Sequence, residues 1–538
     1  MPNARLISLT LERFKSYRDA TTIEFSPLTV ILGRNNSGKS SIIQALLLLK
    51  QTLALPRPEV PLHLEGFVDA LNLRELTFGW PAKGPDVPGP KISVRWSSEI
   101  SVHDTEEGIR RAHREPNYYY SLFASIAGTK PWPAPSQPVQ RLFDELVIDF
   151  AEQQGRTVIR QLTLGIGAEP RSLSTVFTFV LQANGRYQCS YGAEVAPHLA
   201  VELDHFLPYM LLGRWGEPRD VQRDWFVVFD VLFRQPLEDL KRLLANFAYL
   251  GSSRALPATL YRPATVPPED IGVSGEYAAQ MLHARQSEQV HYLPPLQVTE
   301  GALTLPTEVR SRSLFDAVND VFSALGVDAS LRLDEIKDVG FRLLFGQASM
   351  QHVGRGLSYL LPVIQLGLIA DPRRFDSKSQ DMSLAEYEEG CEDYTHCALE
   401  EPEAHLHPKV QSRLAHWLVS LAMARRQLLV ETHSDHMVRR LRGLVARAEP
   451  GSAAERWLLD NVRVLLVEQV DGCSVIKVAG LTAQGGLESW PADFMDEATD
   501  EERTIYDASL DKPEGRPEPL PPLAEVVEDD GEEPDVQP

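Results

Sequence analysis

Cysteine is scarce in this 538-residue sequence. The four cysteines are Cys189, Cys391, Cys397 and Cys473, and no pair has the CxxC spacing of a metal or redox motif. Such usage argues against a disulfide framework and predicts reduced thiols. Long apolar runs are missing as well: none approaches the ~18 residues that a membrane span needs, and the segment after Met1 has no signal-peptide core. We therefore expect a cytoplasmic protein that is not inserted in a membrane.

Positive charge is also in short supply. Lys and Arg number 53 against 75 Asp and Glu, and the formal net charge is −22. Residues 511–538 carry −8 of this charge and are rich in proline, a composition that predicts a disordered acidic tail. The remaining −14 excludes a surface coated with phosphate-binding lysines but permits a local basic groove.

Heptad runs and internal repeats are absent from the sequence, which excludes a long coiled coil and a solenoid. Apolar periodicity and turn residues instead predict an alternation of short strands and helices. The predicted strands are Leu6–Glu12, Thr22–Phe25 and Leu28–Leu32, with others within Lys91–Val102 and Arg156–Ser190; loops are predicted over Glu106–Ser136, and helices at Val139–Glu152, Trp225–Phe247 (broken at Pro236) and Ser313–Leu325.

A complete G-x-x-x-x-G-K-[ST] loop, GRNNSGKS, connects the apolar strand Leu28–Leu32 to an apolar helix over Ile42–Lys50. Glycines let backbone N–H groups wrap a phosphate, Lys39 reaches the β- and γ-phosphates, and the Ser40 hydroxyl ligates Mg²⁺. The helix N-terminus adds a favourable dipole. The residues predicted to contact the nucleotide here are Gly33, Arg34, Asn35, Asn36, Ser37, Gly38, Lys39, Ser40 and Ser41.

Two adjacent carboxylates end a predicted strand in the second half of the chain, within ALEEPEAHLHP. Adjacent strand residues point to opposite faces, and two such acids can therefore do different work. Phosphoryl transfer to water needs one acid on the magnesium side and one that orients the attacking water. We assign the magnesium role to Glu400 and the catalytic base to Glu401.

The segment QLLVETHSDH reads as a buried strand, Leu428–Val430, followed by His433. A histidine at a strand end can hydrogen-bond a γ-phosphate and the attacking water, and we assign His433 that role. Upstream, Gly354 and Gly356 open a predicted helix that begins near Ser358. Backbone N–H groups and a hydroxyl at a helix start make an anion site, although a glycine turn before a core helix is the alternative.

These segments together resemble the ATP-binding-cassette-like ATPases of the SMC, RecF and OLD group. The resemblance rests on Phe14–Tyr17 (FKSY), GRNNSGKSS, VGRGLSY, LEEPEAHLHP and ETHSDH. It is closest to bacterial AAA family ATPases of the OLD-like branch, found beside phage-defence and DNA-processing genes. Further points of resemblance are Tyr249–Arg254 followed by Pro257, Gly272 with Gly275 and Glu276, and Trp490–Asp496, which is similar to a C-terminal domain of unknown function.

The resemblance implies an α/β fold: an ABC-type P-loop ATPase head with a large internal insertion and a short C-terminal β/α extension. It also implies that two heads sandwich ATP and Mg²⁺, with Gly354, Gly356 and Ser358 of one head completing the site of the other. Glu403–His405 resembles the segment that couples the two sites. The expected regions are 1–80 and 246–460 (ATPase lobes), 81–245 (insertion), 461–510 (extension) and 511–538 (tail).

The expected function is an ATPase subunit of a bacterial defence or DNA-maintenance complex, acting as a homodimer or higher homo-oligomer with a separate effector protein. A slow ATP-dependent scaffold is the alternative. A self-contained OLD-type nuclease needs a Toprim domain, and Leu465–Glu468 with Asp471 instead reads as a β-hairpin at Asp471-Gly472.

Other ligand interpretations are weaker. Nucleic-acid contact through Arg425–Arg426 or Arg439–Arg442 stays open, with Lys15 and Arg254 as alternative phosphate contacts. Zinc binding by His405, His407, His433 and His436 is disfavoured by their spacing. The chain departs from the family pattern in two respects. The glycine signature lacks the LSGGQ sequence of transporters, and the glutamine that senses magnesium cannot be placed in the sequence. Asp69 and Asn72 are polar residues near its expected position.

Overall fold

The computed structural model describes residues 4–80, 86–101, 105–107, 116–128, 139–196, 199–213, 219–299, 301–374, 380–391, 393–488, 501, 504–505 and 507. Residues Met1–Ser489 form one compact unit, and Trp490–Pro538 form a second. The predicted tail at 511–538 and the Trp490–Asp496 segment lie outside the described residues. The elements below all belong to the first unit.

The strands of this unit, in chain order, are β1 (Arg5–Glu12), β2 (Thr21–Glu24), β3 (Leu28–Gly33), β4 (Asp86–Ser101), β5 (Val139–Gln153), β6 (Arg156–Glu169), β7 (Ser172–Leu181), β8 (Tyr187–Tyr191), β9 (Glu194–Ala196), β10 (Leu199–Asp204), β11 (Leu207–Gly213), β12 (Ala248–Leu250), β13 (Gln289–Tyr292), β14 (Gln297–Thr299), β15 (Ala302–Thr304), β16 (Glu308–Ser313), β17 (Leu331–Ile336), β18 (Gly340–Phe345), β19 (Ala348–Ser349), β20 (Met382–Ser383), β21 (Thr395–Glu400), β22 (Arg426–Glu431), β23 (Val462–Val470) and β24 (Cys473–Ala479).

The α-helices are α1 (Lys39–Leu53), α2 (Leu73–Leu76), α3 (Pro116–Ala127), α4 (Arg219–Phe229), α5 (Gln235–Ala245), α6 (Ala278–Arg285), α7 (Leu314–Ala324), α8 (Arg355–Ile369), α9 (Leu384–Glu389), α10 (Pro408–Met423), α11 (Asp435–Arg447) and α12 (Ala453–Asn461). A π-helical turn, Asp230–Arg234, joins α4 to α5. Helix α7 confirms the prediction at Ser313–Leu325, and Ser313 caps it by accepting a hydrogen bond from the Asp316 backbone N–H.

A six-stranded sheet in the order β12-β21-β22-β3-β23-β24 carries the phosphate loop. All of its strands are parallel except β24, which returns antiparallel beside β23. Strands β3 and β22 are buried along their whole length, as expected for parallel strands covered on both faces. Since parallel strands end at one edge, residues Leu250, Glu400, Glu431 and Gly33 come together there.

A second sheet is antiparallel and has eight strands in the order β2-β1-β4-β5-β6-β7-β8-β9. Strand β4 pairs with β1 from Arg5↔Ser97 to Glu12↔Lys91. The region expected as an insertion, 81–245, therefore continues the sheet that the N-terminal strands begin. Strands β6, β7 and β8 confirm the strands predicted within Arg156–Ser190.

Two sequence predictions in this region are wrong. Val139–Glu152 was predicted as a helix but forms strand β5. Asp144 occupies a buried position and Phe143 and Val147 half-buried ones, and this blurs the alternation that marks a strand. The predicted loops of Glu106–Ser136 include helix α3.

Helix α1 lies between the two sheets, and its residues Ile42–Leu49 join the apolar core except Gln44. The buried Gln427 side chain, at the start of β22, ties the sheets together: its Oε1 accepts from the Leu6 backbone N–H at 3.1 Å and its Nε2 donates to the Leu6 carbonyl at 2.8 Å. This double hydrogen bond fixes the parallel sheet relative to the antiparallel one.

Strands β23 and β24 form the predicted hairpin, and Asp471-Gly472 is its turn with φ of 52° and 76°. Strand β23 lies directly beside β3, with Val467 opposite Gly33. The C-terminal extension thus supplies a strand next to the phosphate loop.

Candidate nucleotide-binding site

The phosphate loop spans the end of β3 and the start of α1. Gly38 is the N-cap of α1 with φ of 100°, a left-handed conformation that glycine adopts without steric cost. A Cβ on Gly38 would collide with the hydroxyls of Ser474 and Ser16, and one on Gly33 with the Val467 carbonyl. The two glycines of the motif are therefore required by the backbone and by close approach of neighbouring strands.

Strand β24 and the Phe14–Tyr17 turn hold the phosphate loop in place. Ser474 Oγ lies 2.5 Å from the Ser37 carbonyl and 2.6 Å from Ser16 Oγ, and the Tyr17 hydroxyl donates to the Gly38 carbonyl at 3.1 Å. Fixed loop geometry lowers the entropy lost when a phosphate binds. These contacts give the Phe14–Tyr17 motif a physical role.

Lys39 is the cation of the loop and is only 3% exposed. Its Nζ donates to the carbonyls of Gly33 (3.1 Å) and Arg34 (2.9 Å) and lies 3.8 Å from Glu431 Oε1. Desolvation lowers the pKa of Lys39, and the Glu431 and Glu401 charges oppose that shift. The ammonium thus occupies the mouth of the loop, where a bound phosphate takes its hydrogen bonds.

Glu400 ends β21 and is 7% exposed. Its Oε2 accepts from the Ser252 backbone N–H at 3.3 Å, and its carbonyl accepts from Arg254 Nη2 at 2.8 Å. Burial raises the pKa of Glu400. Burial also lowers the pKa of Arg254 to about 10. Arg254, an alternative phosphate contact from the sequence, therefore supports the Glu400 backbone.

Glu401 follows directly with φ of 45°, a backbone conformation that is strained for a glutamate and is characteristic of functional sites. Its backbone N–H donates to the Glu431 carbonyl at 2.7 Å, which continues the ladder between β21 and β22 by one residue. The Glu401 side chain is half-buried, whereas Glu400 is buried. The two adjacent acids therefore differ in exposure.

Glu431, at the end of β22, is a site residue that the sequence interpretation did not assign. Its Oε1 accepts from Ser40 Oγ at 3.1 Å, so Glu431 contacts the predicted magnesium ligand of the loop. Burial raises the pKa of Glu431 to about 7, with the Glu400 charge adding to the effect. An acid directly after the Leu428–Val430 strand was the available signal, but strand order was needed to place it beside Ser40.

His433 lies two residues beyond Glu431 and its ring is exposed. Desolvation and the Lys39 charge lower the pKa of His433, and Glu401 opposes them. Its backbone N–H donates to Glu403 Oε1 at 2.9 Å, and the Thr432 hydroxyl donates to the same oxygen at 2.6 Å. The buried Glu403 thus connects the segment after Glu401 to His433.

The glycine signature differs from its prediction in one respect. Helix α8 begins at Arg355 with Gly354 as its N-cap, three residues before the predicted start near Ser358. The Ser358 hydroxyl is buried and donates to the Arg355 carbonyl at 2.9 Å inside the first turn. A Cβ on Gly356 would lie 2.5 Å from the His405 carbonyl, whereas one on Gly354 meets nothing within 4 Å.

The phosphate loop and its acidic neighbours fit a magnesium nucleotide. Lys39 and Ser40 suit a phosphate and a hard cation, and Glu400 and Glu431 supply oxygen ligands of the type that Mg²⁺ prefers. Glu400 Oε1 and Glu431 Oε2 are buried and have no hydrogen-bond partner among the described residues. A cation held there would supply charge stabilisation of the phosphoryl group.

Several alternative ligand residues have structural roles. Arg426 is fully buried and donates to the His291 carbonyl at 2.6 Å, so this arginine does not offer its side chain to a nucleic acid. Lys15 Nζ donates to Gln44 Oε1 at 2.5 Å. Asp69 accepts from the Gly66 backbone N–H, and Asn72 caps α2. In the described part of the chain, no group of three His, Cys, Asp or Glu residues is placed to hold a metal.

Comparison with protein families gives one match: the profile described as AAA ATPase domain aligns with residues 5–77 and 349–438, together less than a third of the chain. The first match covers β1 to α2 with the phosphate loop. The second covers α8, both glutamates and the start of α11. No curated protein matches the sequence.

The solved structures that the chain matches include SMC head domains. An Smc head bound to the C-winged helix domain of ScpA has 13% identity and a TM-score of 0.37, covering 88% of this chain and 98% of its own. A Pyrococcus furiosus Smc head with an extended coiled coil, bound to the C-terminal domain of ScpA, has 13% identity and 0.36, covering 94% and 100%. The Thermotoga maritima SMC head domain has 12% identity and 0.32, covering 88% and 98%.

The predicted α/β class is confirmed: helices, a mainly parallel sheet that carries the phosphate loop and an antiparallel sheet belong to one compact unit. Its segments 5–77 and 349–438 are similar to an AAA ATPase domain. None of the described helices is long and apolar enough to cross a bilayer.

Proposed function

We propose that this chain binds ATP with Mg²⁺, hydrolyses it, and closes head-to-head with a second copy around each nucleotide. The supporting observation is the convergence of three distant segments at one sheet edge: Lys39 with Ser40, Glu400 with Glu401, and Glu431 with His433. In the proposal Lys39 binds the β- and γ-phosphates, and Ser40 and Glu400 hold the metal. Glu401 accepts the proton of the attacking water, and His433 contacts the γ-phosphate.

The Glu401→Gln variant tests hydrolysis. Glutamine keeps the size of the side chain but cannot accept the proton, so phosphate release should fall by about 10²- to 10⁴-fold. ATP affinity, measured by calorimetry, should change little because Lys39 and Ser40 remain. Unchanged phosphate release would exclude Glu401 as the base. If release by the natural chain is already as slow as in the variant, the scaffold alternative is favoured over a cycling enzyme.

The dimer proposal rests on the exposed N-terminus of α8. Its N-cap, Gly354, is exposed, and a Cβ added there would meet nothing within 4 Å, so a second copy could approach it. Helix N-termini attract phosphate. With the Ser358 hydroxyl bonded within its own helix, the backbone N–H groups near Gly354 are the contacts we propose in trans.

Mixing two inactive variants tests the dimer. Gly354→Glu places a carboxylate in open space, so the monomer should fold while the composite site is repelled; Lys39→Ala removes the phosphate contact. Each variant alone should be inactive. Mixed, they should regain a substantial part of the natural activity, because one composite site then has both an intact loop and an intact Gly354. No recovery on mixing, with both variants folded, would contradict a site shared between copies.

The cellular role is proposed from the sequence resemblance to the OLD-like branch. In this proposal the dimer acts as the ATPase or sensor subunit of a bacterial anti-phage or DNA-maintenance complex, and a separate effector supplies the damaging chemistry. The contacts of Glu403 with Thr432 and His433 support a coupling of ATP state to dimer state. Salt-dependent DNA binding, measured with and without ATP, tests whether nucleic acid is a ligand.

A further inference from the structure

Glu431 occupies the central position among the acids of the site. Strand β22 lies between β21 and β3, so Glu431 pairs with Glu400 on one side and with Ile31, two residues before the phosphate loop, on the other. Of the two strand-terminal acids Glu400 and Glu431, only Glu431 contacts the loop in the described structure, through the 3.1 Å hydrogen bond from Ser40.

The surroundings of Glu431 leave one of its carboxylate oxygens without a partner. Its side chain is 5% exposed, and its Oε2 has no hydrogen-bond partner among the described residues. Glu400, its neighbour on β21, is 7% exposed, and its Oε1 also has no hydrogen-bond partner among the described residues. Lys39 Nζ is 3.8 Å from Glu431, and Arg254 donates to the Glu400 backbone carbonyl. Two neighbouring buried carboxylates, each with one oxygen that has no hydrogen-bond partner in the described structure, offer oxygen ligands to a further cation.

We infer that Glu431 is a direct ligand of the divalent cation that accompanies the nucleotide, which it shares with Ser40 and Glu400. The inference rests on the proposed function, because the cation arrives with the nucleotide's phosphates. Carboxylate and hydroxyl oxygens are ligands that Mg²⁺ accepts. Glu431 Oε1 already accepts a hydrogen bond from Ser40 Oγ, so two of the proposed ligands lie side by side.

A purely structural Glu431 would act differently. If it only oriented Lys39 and Ser40, its loss would weaken nucleotide binding equally with and without metal. A metal ligand instead couples the two binding events, and its negative charge repels a metal-free triphosphate. The two roles therefore predict opposite changes in metal-free ATP binding.

The Glu431→Gln variant separates these roles. ATP affinity is measured by calorimetry with Mg²⁺ and with EDTA, and Mn²⁺ binding in the presence of ATP is measured by electron paramagnetic resonance. We expect metal-free ATP to bind at least as tightly as in the natural chain. The increase in ATP affinity that Mg²⁺ gives over EDTA, and the affinity for Mn²⁺, should each fall by about 10- to 100-fold, as they do when groups that support a metal are lost.

The matched control is Glu468→Gln. Glu468 follows Val467, which pairs with Gly33, so it is an acid at the same sheet edge; its Oε2 is bonded to Lys477 Nζ at 2.6 Å. Removing that charge should leave the metal enhancement unchanged. Equal losses in both variants would mean that the effect is general electrostatics, and the inference would be overturned.

A second variant covers the case in which glutamine disturbs folding. Glu431→Cys offers a thiolate, which prefers soft cations to Mg²⁺. If Glu431 touches the cation, Cd²⁺ should support ATP binding by this variant relative to Mg²⁺ more than it does in the natural chain. An unchanged metal preference, or Mg²⁺ enhancement retained in Glu431→Gln, refutes direct ligation. Failure of the natural chain to bind ATP under any condition would instead refute the proposed function.

Discussion

Both sheets bury carboxylates, but only one set lies beside a phosphate loop. In the antiparallel region, Asp144 of β5 is fully buried and accepts from Ser98 Oγ at 2.5 Å. Asp239 of α5 lies close enough to raise its pKa further, and is itself bonded to Arg242 at 2.6 Å. At the edge of the parallel sheet, Glu400 and Glu431 are buried to a similar degree.

Burial alone does not distinguish the two sets, since Asp144 and Asp239 each also have one oxygen without a hydrogen-bond partner in the described structure. Burial raises the pKa of Asp144 well above its usual value, and its hydrogen-bond partner is the Ser98 hydroxyl. At the parallel edge, Glu431 contacts Ser40 and approaches Lys39. The comparison teaches that a buried acid indicates ligand chemistry when strand ends bring it to a phosphate loop.

The largest expected effect is that of removing the Lys39 ammonium at the edge of the parallel sheet. Lys39→Ala should weaken ATP binding by about 100-fold or more, because a charge-assisted contact to phosphate in a buried site is lost. Lys15→Ala is the matched control: Lys15 is a second partly buried lysine near α1, but it bonds Gln44 instead of the loop carbonyls. We expect less than about a threefold change in that variant by calorimetry. Similar losses in both would show that general positive charge, not the loop geometry, holds the nucleotide.

A smaller effect concerns His396, a buried histidine in the same parallel sheet. Burial, aided by the Arg5 charge, lowers the pKa of His396 on β21 to about 3, against 6.5 in the unfolded chain. The neutral histidine therefore stabilises the fold above pH 6.5, and this contribution is lost as the pH falls from 6.5 toward 3. His396→Gln does not titrate. Between pH 7.5 and 4.5, the natural chain should lose about 2 to 3 kcal/mol more free energy of unfolding than the variant.

Urea unfolding of both proteins at the two pH values measures this difference, and the shared titration of other groups cancels. Parallel loss of stability in the two proteins would mean that His396 is not held neutral, and that burial in the parallel sheet does not shift pKa values as described.

The phosphate loop could be predicted from the sequence because its contacts come from consecutive residues. Glu400 and Glu401 were visible for the same reason: two acids follow a buried strand without interruption. Glu431 was not assigned, because its importance depends on β22 lying between β21 and β3. The contact of Ser474 with the loop likewise needs the position of β24, 437 residues away in sequence.

The antiparallel sheet was harder to predict for a different reason. Its strand β1 pairs with β4 across the phosphate loop and α1, a long-range pairing that periodicity cannot reveal. Strand β5 was predicted as a helix because Asp144 stands on its buried face, where an apolar residue would have marked the alternation. Asp144 therefore obscured strand β5 in the sequence, and it is also the buried acid of the antiparallel sheet that we compare with Glu400 and Glu431.

The smallest expected effect is that of Asp144→Asn. Because its folded pKa is raised, Asp144 favours the folded state below its unfolded pKa of 3.8, and that contribution is lost as the pH rises. Asparagine has no such dependence and can still accept from Ser98. Relative to the natural chain, the variant should therefore gain free energy of unfolding as the pH rises from 4 to 7, measured by urea unfolding. Its ATP affinity should be unchanged, and a loss of more than a few-fold would place the antiparallel acid within the functional set and remove the distinction between the two sheets.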